Sequence, residues 1–210
     1  MFNILYIDGI KLVVPFQEYK TTFQVCHLVG KKIPHFCFNK KLVIAGNCRI
    51  CLIEVKGLPK PIASCATPIT DNMVIFTKSP LVLKARESVM EFLLINHPLD
   101  CPVCDQAGEC DLQELSMSEG KDISRFFIQK RGVSNKIINN SILTTMTRCI
   151  HCTKCVRLGF LLGLSTLGVA KRGYNTEIFD YSYVKQKKNT FHLTANIIDI
   201  CPVNILLNKR

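Results

Sequence analysis

Twelve cysteines in 210 residues constrain this chain more than any other feature of its sequence. Thiols at that density serve disulfides, metal or redox chemistry. They are grouped: Cys37, Cys48, Cys51 and Cys65 first, then Cys101, Cys104 and Cys110, then Cys149, Cys152 and Cys155, with Cys26 and Cys201 apart. The N-terminus, MFNILYIDGIKLVV, has no basic segment ahead of a short apolar core and no Arg- and Ser-rich transit character. The thiols are therefore expected in a reducing compartment, where clustered cysteines hold metal or do catalysis more often than they form disulfides.

Composition narrows the class further. A hydrophobic fraction of 48% excludes a mostly disordered chain, and 11 Gly with 9 Pro exclude collagen-like and low-complexity classes. The net charge of +11 raises the question of nucleic acid, but the basic residues come as scattered pairs such as Lys31–Lys32 and Lys187–Lys188, and no nucleic-acid motif accompanies them. A solvated or partner-facing surface is expected, and no nucleic acid. No apolar run reaches the roughly 20 residues of a bilayer span. The nearest, Leu158 to Ala170, reads as a buried or interface helix.

The chain reads as α+β, in three units. In residues 1–80, Asn3–Ile7 and Lys11–Val14 flank Asp8–Gly9, a strong hairpin signal. Thr21 with Gln24 fits a capping box, Gly30 a helix stop, and Leu52–Val55 and Met73–Thr77 read as strands. Hairpins with one crossing helix predict a grasp-like sheet. In residues 81–120, Leu81–Asn96 has helical spacing, with Ser79–Pro80 at its start and His97–Pro98 at its end. Residues 121–145 read as a polar connector, and 146–210 as the third unit.

Each group of sulfurs has its own spacing. Cys37, Cys48, Cys51 and Cys65 can hold a [2Fe–2S] cluster or a tetrahedral zinc. Only Cys48 and Cys51 form a CxxC pair, where zinc ribbons usually have two, so iron–sulfur is favoured. Gly46–Asn47 ahead of Cys48 lets a loop wrap closely around a buried group. In HPLDCPVCDQAGEC, three cysteines leave a four-ligand site short of one, and His97 stands four residues before Cys101 to complete it. RCIHCTKC has the C-x2-C-x2-C opening of a bacterial ferredoxin run. Position 159 is Gly where that run would place its fourth cysteine, but Cys201–Pro202 supplies a late Cys-Pro. Counting back from Cys201, a second run would need cysteines at Ile197, Thr194 and Phe191. The third unit therefore reads as half of a two-cluster ferredoxin, with Cys149, Cys152, Cys155 and Cys201 on one [4Fe–4S] cluster. Cys26 is left over, a small buried hydrophobe on a helix. His27, His35, His151 and His192 read as surface or supporting residues.

IPHFC, AGNCRICLIEV, HPLDCPVCDQAGECDLQ, RCIHCTKCVR, LGVAKRGYNTEI and NIIDICPV, in this order, resemble the N-terminal iron–sulfur region of the large iron–sulfur subunit of respiratory complex I, NADH:ubiquinone oxidoreductase. The resemblance covers nearly the whole chain. It implies a β-grasp [2Fe–2S] ferredoxin-like domain, a small helical segment holding [4Fe–4S] by one His and three Cys, and a one-cluster [4Fe–4S] ferredoxin-like domain. It also implies electron relay from a flavin that oxidises NADH toward quinone, with no bond-making catalysis on this chain. The partners implied are the flavin/NADH-binding subunit, other peripheral-arm iron–sulfur subunits, and a separate chain carrying the molybdopterin-oxidoreductase-like domain that the family has beyond this region. Contact with the membrane would be indirect.

This sequence departs from the family at Asn204-Ile205-Leu206, where Gly-Ala-Leu is usual, and at the unusually apolar Gly159–Leu162, read as a partner contact. The excess of Lys over Arg, with plentiful Ile, Asn and Phe, points to an A/T-rich genome. That suggests the matrix side of a mitochondrial inner membrane, or the cytoplasmic side of a bacterial one. Two other functions fit parts of the pattern: the small iron–sulfur diaphorase subunit of an NAD-reducing hydrogenase, and a structural zinc protein that binds nucleic acid. With eleven thiolates and three oxidised cluster cores included, the net charge falls to about +6. Elemental analysis of the purified chain is expected to find roughly ten iron atoms per chain and matching acid-labile sulfide. Zinc without visible absorbance would refute the iron–sulfur reading.

Overall fold

Asp8 and Gly9 make the first turn. Both have positive φ, +47° and +85°, as a two-residue hairpin requires. The turn joins β1 (Phe2–Ile7) to β2 (Ile10–Pro15) in an antiparallel pair. The Asp8 carboxylate also ties the turn to the end of the neighbouring strand, accepting from the Thr77 amide at 2.7 Å and the Thr77 hydroxyl at 2.6 Å. Burial works against that charge, but the Thr77 hydrogen bonds and Lys31 hold the carboxyl below its usual range. The computed structural model describes residues 2–15, 19–138, 142–163, 167–181 and 197–208.

β1 lies parallel to β5 (Met73–Phe76), which pairs with β3 (Leu52–Val55), and β4 (Ile62–Ala63) closes the edge. The five-stranded order is β2-β1-β5-β3-β4. Helix α1 (Thr22–Leu28) crosses it, with Phe23, Val25 and Cys26 in the core beside Leu5, Ile7, Ile53 and Ile75. Gln24 Oε1 accepts the Thr21 amide at 3.1 Å in the expected capping box, and Gly30, at φ +74°, follows the helix end. This is the grasp-like sheet expected from sequence. The two-residue strand β4 was not foreseen, being too short to leave a periodic signal.

Helix α2 (Pro80–Leu94) starts with Pro80 at its first position and the Ser79 hydroxyl accepting from the Val82 amide at 3.3 Å. Val82, Arg86 and Met90 recur every four residues and form its buried face. Arg86 is 2% exposed. Its Nε and Nη2 donate to the Leu52 carbonyl at 3.1 and 2.8 Å, and its Nη1 meets Glu119 at 3.5 Å. Glu119 ends α3 (Asp111–Glu119), so one guanidinium fastens the first unit to the second.

The third unit is built on β6 (Lys136–Ile138), β7 (Ile142–Thr144) and β10 (Leu206–Asn208), ordered β10-β7-β6, with β8 (Leu167–Ala170) paired to β9 (Glu177–Asp180) and α4 (Lys154–Leu161) following the third cysteine run. Residues 136–138 and 142–144 correct the expectation of a polar connector over 121–145. The Lys-, Asn- and Ser-rich sequence hides an antiparallel strand pair whose Ile138, Ile142 and Thr144 are buried, with β10 from the far end of the chain paired to β7. Ile197, at one of the places where a second ferredoxin run would put cysteine, is core. Positions 191 and 194, and His192, lie outside the described residues. Phe160 and Leu161, in the segment read as a partner contact, are exposed. Among the described residues no helix is long and apolar enough to cross a membrane.

Two apolar cores result. One lies between α1 and the five-stranded sheet and includes Cys51 and Cys65. The other runs from Phe36, Cys37 and Cys48 through Met90 and Leu112 to Cys152, Cys155 and Leu206. Replacing Arg86 with Met strands the Leu52 carbonyl and leaves Glu119 without its partner. Removing one member of such a buried pair costs about 3 kcal/mol or more, so calorimetry of Arg86→Met is expected to show Tm lower by roughly 5–10 °C.

Candidate metal centres

The first group sits on the seam between the two cores. Cys37, Cys48, Cys51 and Cys65 are all buried. The Cys37 thiol interacts with those of Cys48 and Cys65, and Cys51 with Cys65, so the four sulfurs influence one another. The thiols polarise one another. Interactions with Cys48 and Cys65 push Cys37 toward thiolate, and one with Cys65 does the same for Cys51. Cys48 and Cys65 are pushed the other way by those same contacts and by burial. The loop that carries Cys48 needs its glycine: Gly46 has φ +62°, and a Cβ there would stand 3.3 Å from that of Ala66. The Cys37 amide points at Cys48 Sγ, 3.4 Å away.

The second group surrounds a cavity of about 390 Å³ next to α2 and α3, lined in part by His97, Cys101 and Cys110. Cys104, at the end of a short helical turn begun by Cys101, is not on that lining. His97 Nδ1 is buried and has no hydrogen-bond partner. An orphan ring nitrogen is costly unless something absent from the protein's own atoms takes it up. Burial first, and then the charges of Lys130 and Arg148, lower the His97 pKa to about 4. The ring is thus neutral at physiological pH, the form a metal ligand must have. Cys110 Sγ reaches the Pro202 carbonyl at 3.7 Å, which sets the second group against the third.

In the third group, Cys149, Cys152, Cys155 and Cys201 line one narrow slot with Ile178, Val203 and Ile205. The backbone bends sharply to bring them there: His151 and Thr153, on either side of Cys152, have φ +55° and +59°. Burial raises all four thiols, Cys149 to about 12 and Cys152 to about 11. Amides point at the sulfurs, from His151 to Cys149 at 3.3 Å and from Ile205 to Cys201 at 3.5 Å. Apolar walls with amide donors, and no carboxylate on the slot, suit an anionic cluster whose potential is set by hydrogen bonds and solvent exclusion.

Among the described residues no three His, Cys, Asp or Glu side chains are placed to hold one metal ion. A cluster does not demand that, because its ligands are shared among two or four irons. The orphaned His97 nitrogen, the interacting sulfurs of the first group and the amide-lined slot of the third are compatible with such groups.

Sequence reasoning missed the residues that join the sites. Arg157 donates to the carbonyls of Cys37, Val43 and Cys152. Asn47 donates to the His151 carbonyl at 2.9 Å. The Arg131 guanidinium lies 3.2 Å from His151 Nε2, and both meet the Thr176 carbonyl. An arginine two positions after a cysteine run leaves no pattern that marks its partners, two of which lie over a hundred residues away. His27 and His35 are exposed, as expected, while His151 is half-buried and supports the third site. Cys26 is fully buried, its thiol pushed up to about 12 by burial.

Fold and cysteine arrangement define an iron–sulfur protein with three binding regions, and its likeness to known proteins agrees. Family models match a 2Fe-2S iron-sulfur cluster binding domain at residues 4–80, the NADH-ubiquinone oxidoreductase-G iron-sulfur binding region at 86–125, and the ferredoxin-like domain of NADH-quinone oxidoreductase subunit 3 at 139–207. The chain is 53% identical over all 210 of its residues to the NADH-ubiquinone oxidoreductase 75 kDa subunit of Reclinomonas americana. It is 50% identical over 98% of its length to an NADH-quinone oxidoreductase subunit of Rickettsia felis, and 49% identical over the same share to the mitochondrial NADH dehydrogenase [ubiquinone] iron-sulfur protein 1 of Solanum tuberosum. The chain spans about 30% of the length of these relatives. A chain in the crystal structure of an NAD+-reducing [NiFe]-hydrogenase in the H2-reduced state superposes with a TM-score of 0.86 at 26% identity, over 99% of this chain and 87% of that one. The chain is thus similar, at about half identity, to part of the 75 kDa subunit of NADH-ubiquinone oxidoreductase and of its bacterial counterpart, and its middle matches their iron–sulfur binding region.

Iron analysis of single variants separates ligands from the spare thiol. Cys152→Ser is expected to lose about four of the roughly ten irons, and Cys26→Ala none.

Proposed function

We propose that the chain is an electron-relay segment of NADH:ubiquinone oxidoreductase, carrying electrons from a flavin that oxidises NADH toward quinone. The observation that carries this reading is the burial of the first cysteine group and the gathering of the third around one slot, with an orphaned His97 beside Cys101 and Cys110, in a chain half identical to subunits of that enzyme. Cys37, Cys48, Cys51 and Cys65 would hold a [2Fe–2S] cluster. His97, Cys101, Cys104 and Cys110 would hold one [4Fe–4S] cluster, and Cys149, Cys152, Cys155 and Cys201 another. Bound there, such groups supply one-electron acceptance and release.

The protein's own part is to keep water out, aim amides at sulfur and set the charge around each site. Burial of the first group and of Cys152 and Cys155 in the third does the first. Cys149 and Cys201 receive amides from His151 and Ile205. Neutral His97 in place of a thiolate removes one negative charge from the second site, which raises its potential relative to four thiolates. Lys130 and Arg148 beside it act in the same direction.

A flavin- and NADH-binding subunit and the peripheral-arm iron–sulfur subunits are the partners this reading calls for. A matrix-side location in mitochondria, or a cytoplasmic-side one in bacteria, is the location this reading calls for. The NAD+-reducing hydrogenase likeness supports a diaphorase subunit as a second reading, because the superposition spans nearly the whole chain. Identity of 53% against 26% favours the quinone-linked enzyme. Electron paramagnetic resonance with redox titration tests the ligand set. His97→Cys is expected to keep a cluster signal and lower its potential, and no shift, or a rise, would refute ligation by His97.

A further inference from the structure

The first and third sites are joined by a cation that belongs to neither ligand set. Arg157 lies on α4, two residues after Cys155. Its Nη2 donates both to the Cys37 carbonyl and to the Cys152 carbonyl, the latter at 3.1 Å. Its Nη1 donates to the Val43 carbonyl at 2.7 Å, and its Nε to the Thr153 hydroxyl at 3.2 Å. A second link runs parallel: Asn47, next to Cys48, donates to the His151 carbonyl at 2.9 Å and lies 3.5 Å from the same Thr153 hydroxyl. Loops more than a hundred residues apart in sequence, each carrying candidate cluster ligands, are thereby tied together twice.

Only a guanidinium can do this. Its planar fork presents five donors and can serve three carbonyls and a hydroxyl together, whereas an ammonium is a point charge on a flexible stem. The charge also matters where it lies. Two of the carbonyls it binds belong to candidate ligand cysteines, one from each site. Each site becomes more negative when it takes an electron. A fixed positive charge between two such sites favours the reduced form of both.

We propose that Arg157 is a positioning residue shared by the first and third centres: it holds the Cys37 and Cys152 loops at a set separation and raises the reduction potential of both. The proposal rests on the ligand assignment above. It leaves the second centre out, because the cations facing His97 are Lys130 and Arg148 and not Arg157. That centre is an internal control.

The test is redox titration of the cluster-loaded chain followed by electron paramagnetic resonance, with Arg157→Met and Arg157→Lys beside the unaltered protein. For Arg157→Met the potentials of the first and third centres are expected to fall together while the second stays put. Relaxation enhancement between the first and third paramagnets is expected to weaken. Arg157→Lys is expected to restore the potentials in part, since the charge returns, but not the relaxation enhancement, since the fork does not. If Arg157→Met fails to retain its clusters, the lysine variant decides by itself: relaxation unchanged from the unaltered chain overturns the proposal. Potentials that hold still while thermal stability drops would make Arg157 a structural staple and nothing more, and would also overturn it. Fewer than three cluster signals in the unaltered chain would instead sink the ligand assignment, and the proposal with it.

Discussion

Guanidinium groups donating to backbone carbonyls hold this molecule together. Arg86 binds Leu52, Arg157 binds Cys37, Val43 and Cys152, and Arg131 binds Thr176. Each joins segments distant in sequence. The reason lies in what the interior has to accommodate. Thiolates and anionic clusters need dry surroundings, and carboxylates near them would add repulsion. Arginine bound to carbonyls satisfies buried backbone acceptors and brings positive charge, and among the described residues only Arg86 of these three also meets a carboxylate, that of Glu119. Where acids do enter the interior, they are clamped: Glu177, almost fully buried, sits between Lys136 and Lys171, each at 2.6 Å.

The two cores divide the work unevenly. The apolar core between the sheet and α1 is drawn from Leu5 to Ile75 of the first unit. The other core is shared, with contributions from the first cysteine loop, α2, α3 and the third unit. Cys37 and Cys48 face one core and Cys51 and Cys65 the other, so the first site is the place where the grasp-like sheet meets everything else. Its four sulfurs cannot come together unless both cores form. A metal group held by these four sulfurs would therefore couple its binding to folding, as in other small metal domains.

The candidate ligands were readable from sequence because cluster chemistry demands cysteines at short, rigid spacings. CxxC places two sulfurs on one turn, and C-x2-C-x2-C places three, whatever surrounds them. The Asp8–Gly9 hairpin, the Thr21–Gln24 cap and the start of α2 were readable for a similar reason: each depends on backbone geometry that only a few residue types provide. The strands at 136–138 and 142–144 were not, since their flanks are polar and their partner strand lies more than sixty residues downstream. Nor was the way His151 is held beside the third site, which depends on Arg131 and Thr176 reaching it from other segments.

By itself, then, the sequence determined the chemistry. Eleven cysteines and one histidine are its candidate ligands, because ligand type and, except for the distant Cys201, local spacing are properties of short stretches of chain. The tertiary structure decided how the sites stand to one another. The meeting of Cys110 with Pro202, the seam through the first site and the Arg157 and Asn47 links between the first and third all depend on distant segments, and the named contacts span roughly ninety residues or more. Contacts of that span come from packing two cores together, and packing has no signature in any short stretch of sequence.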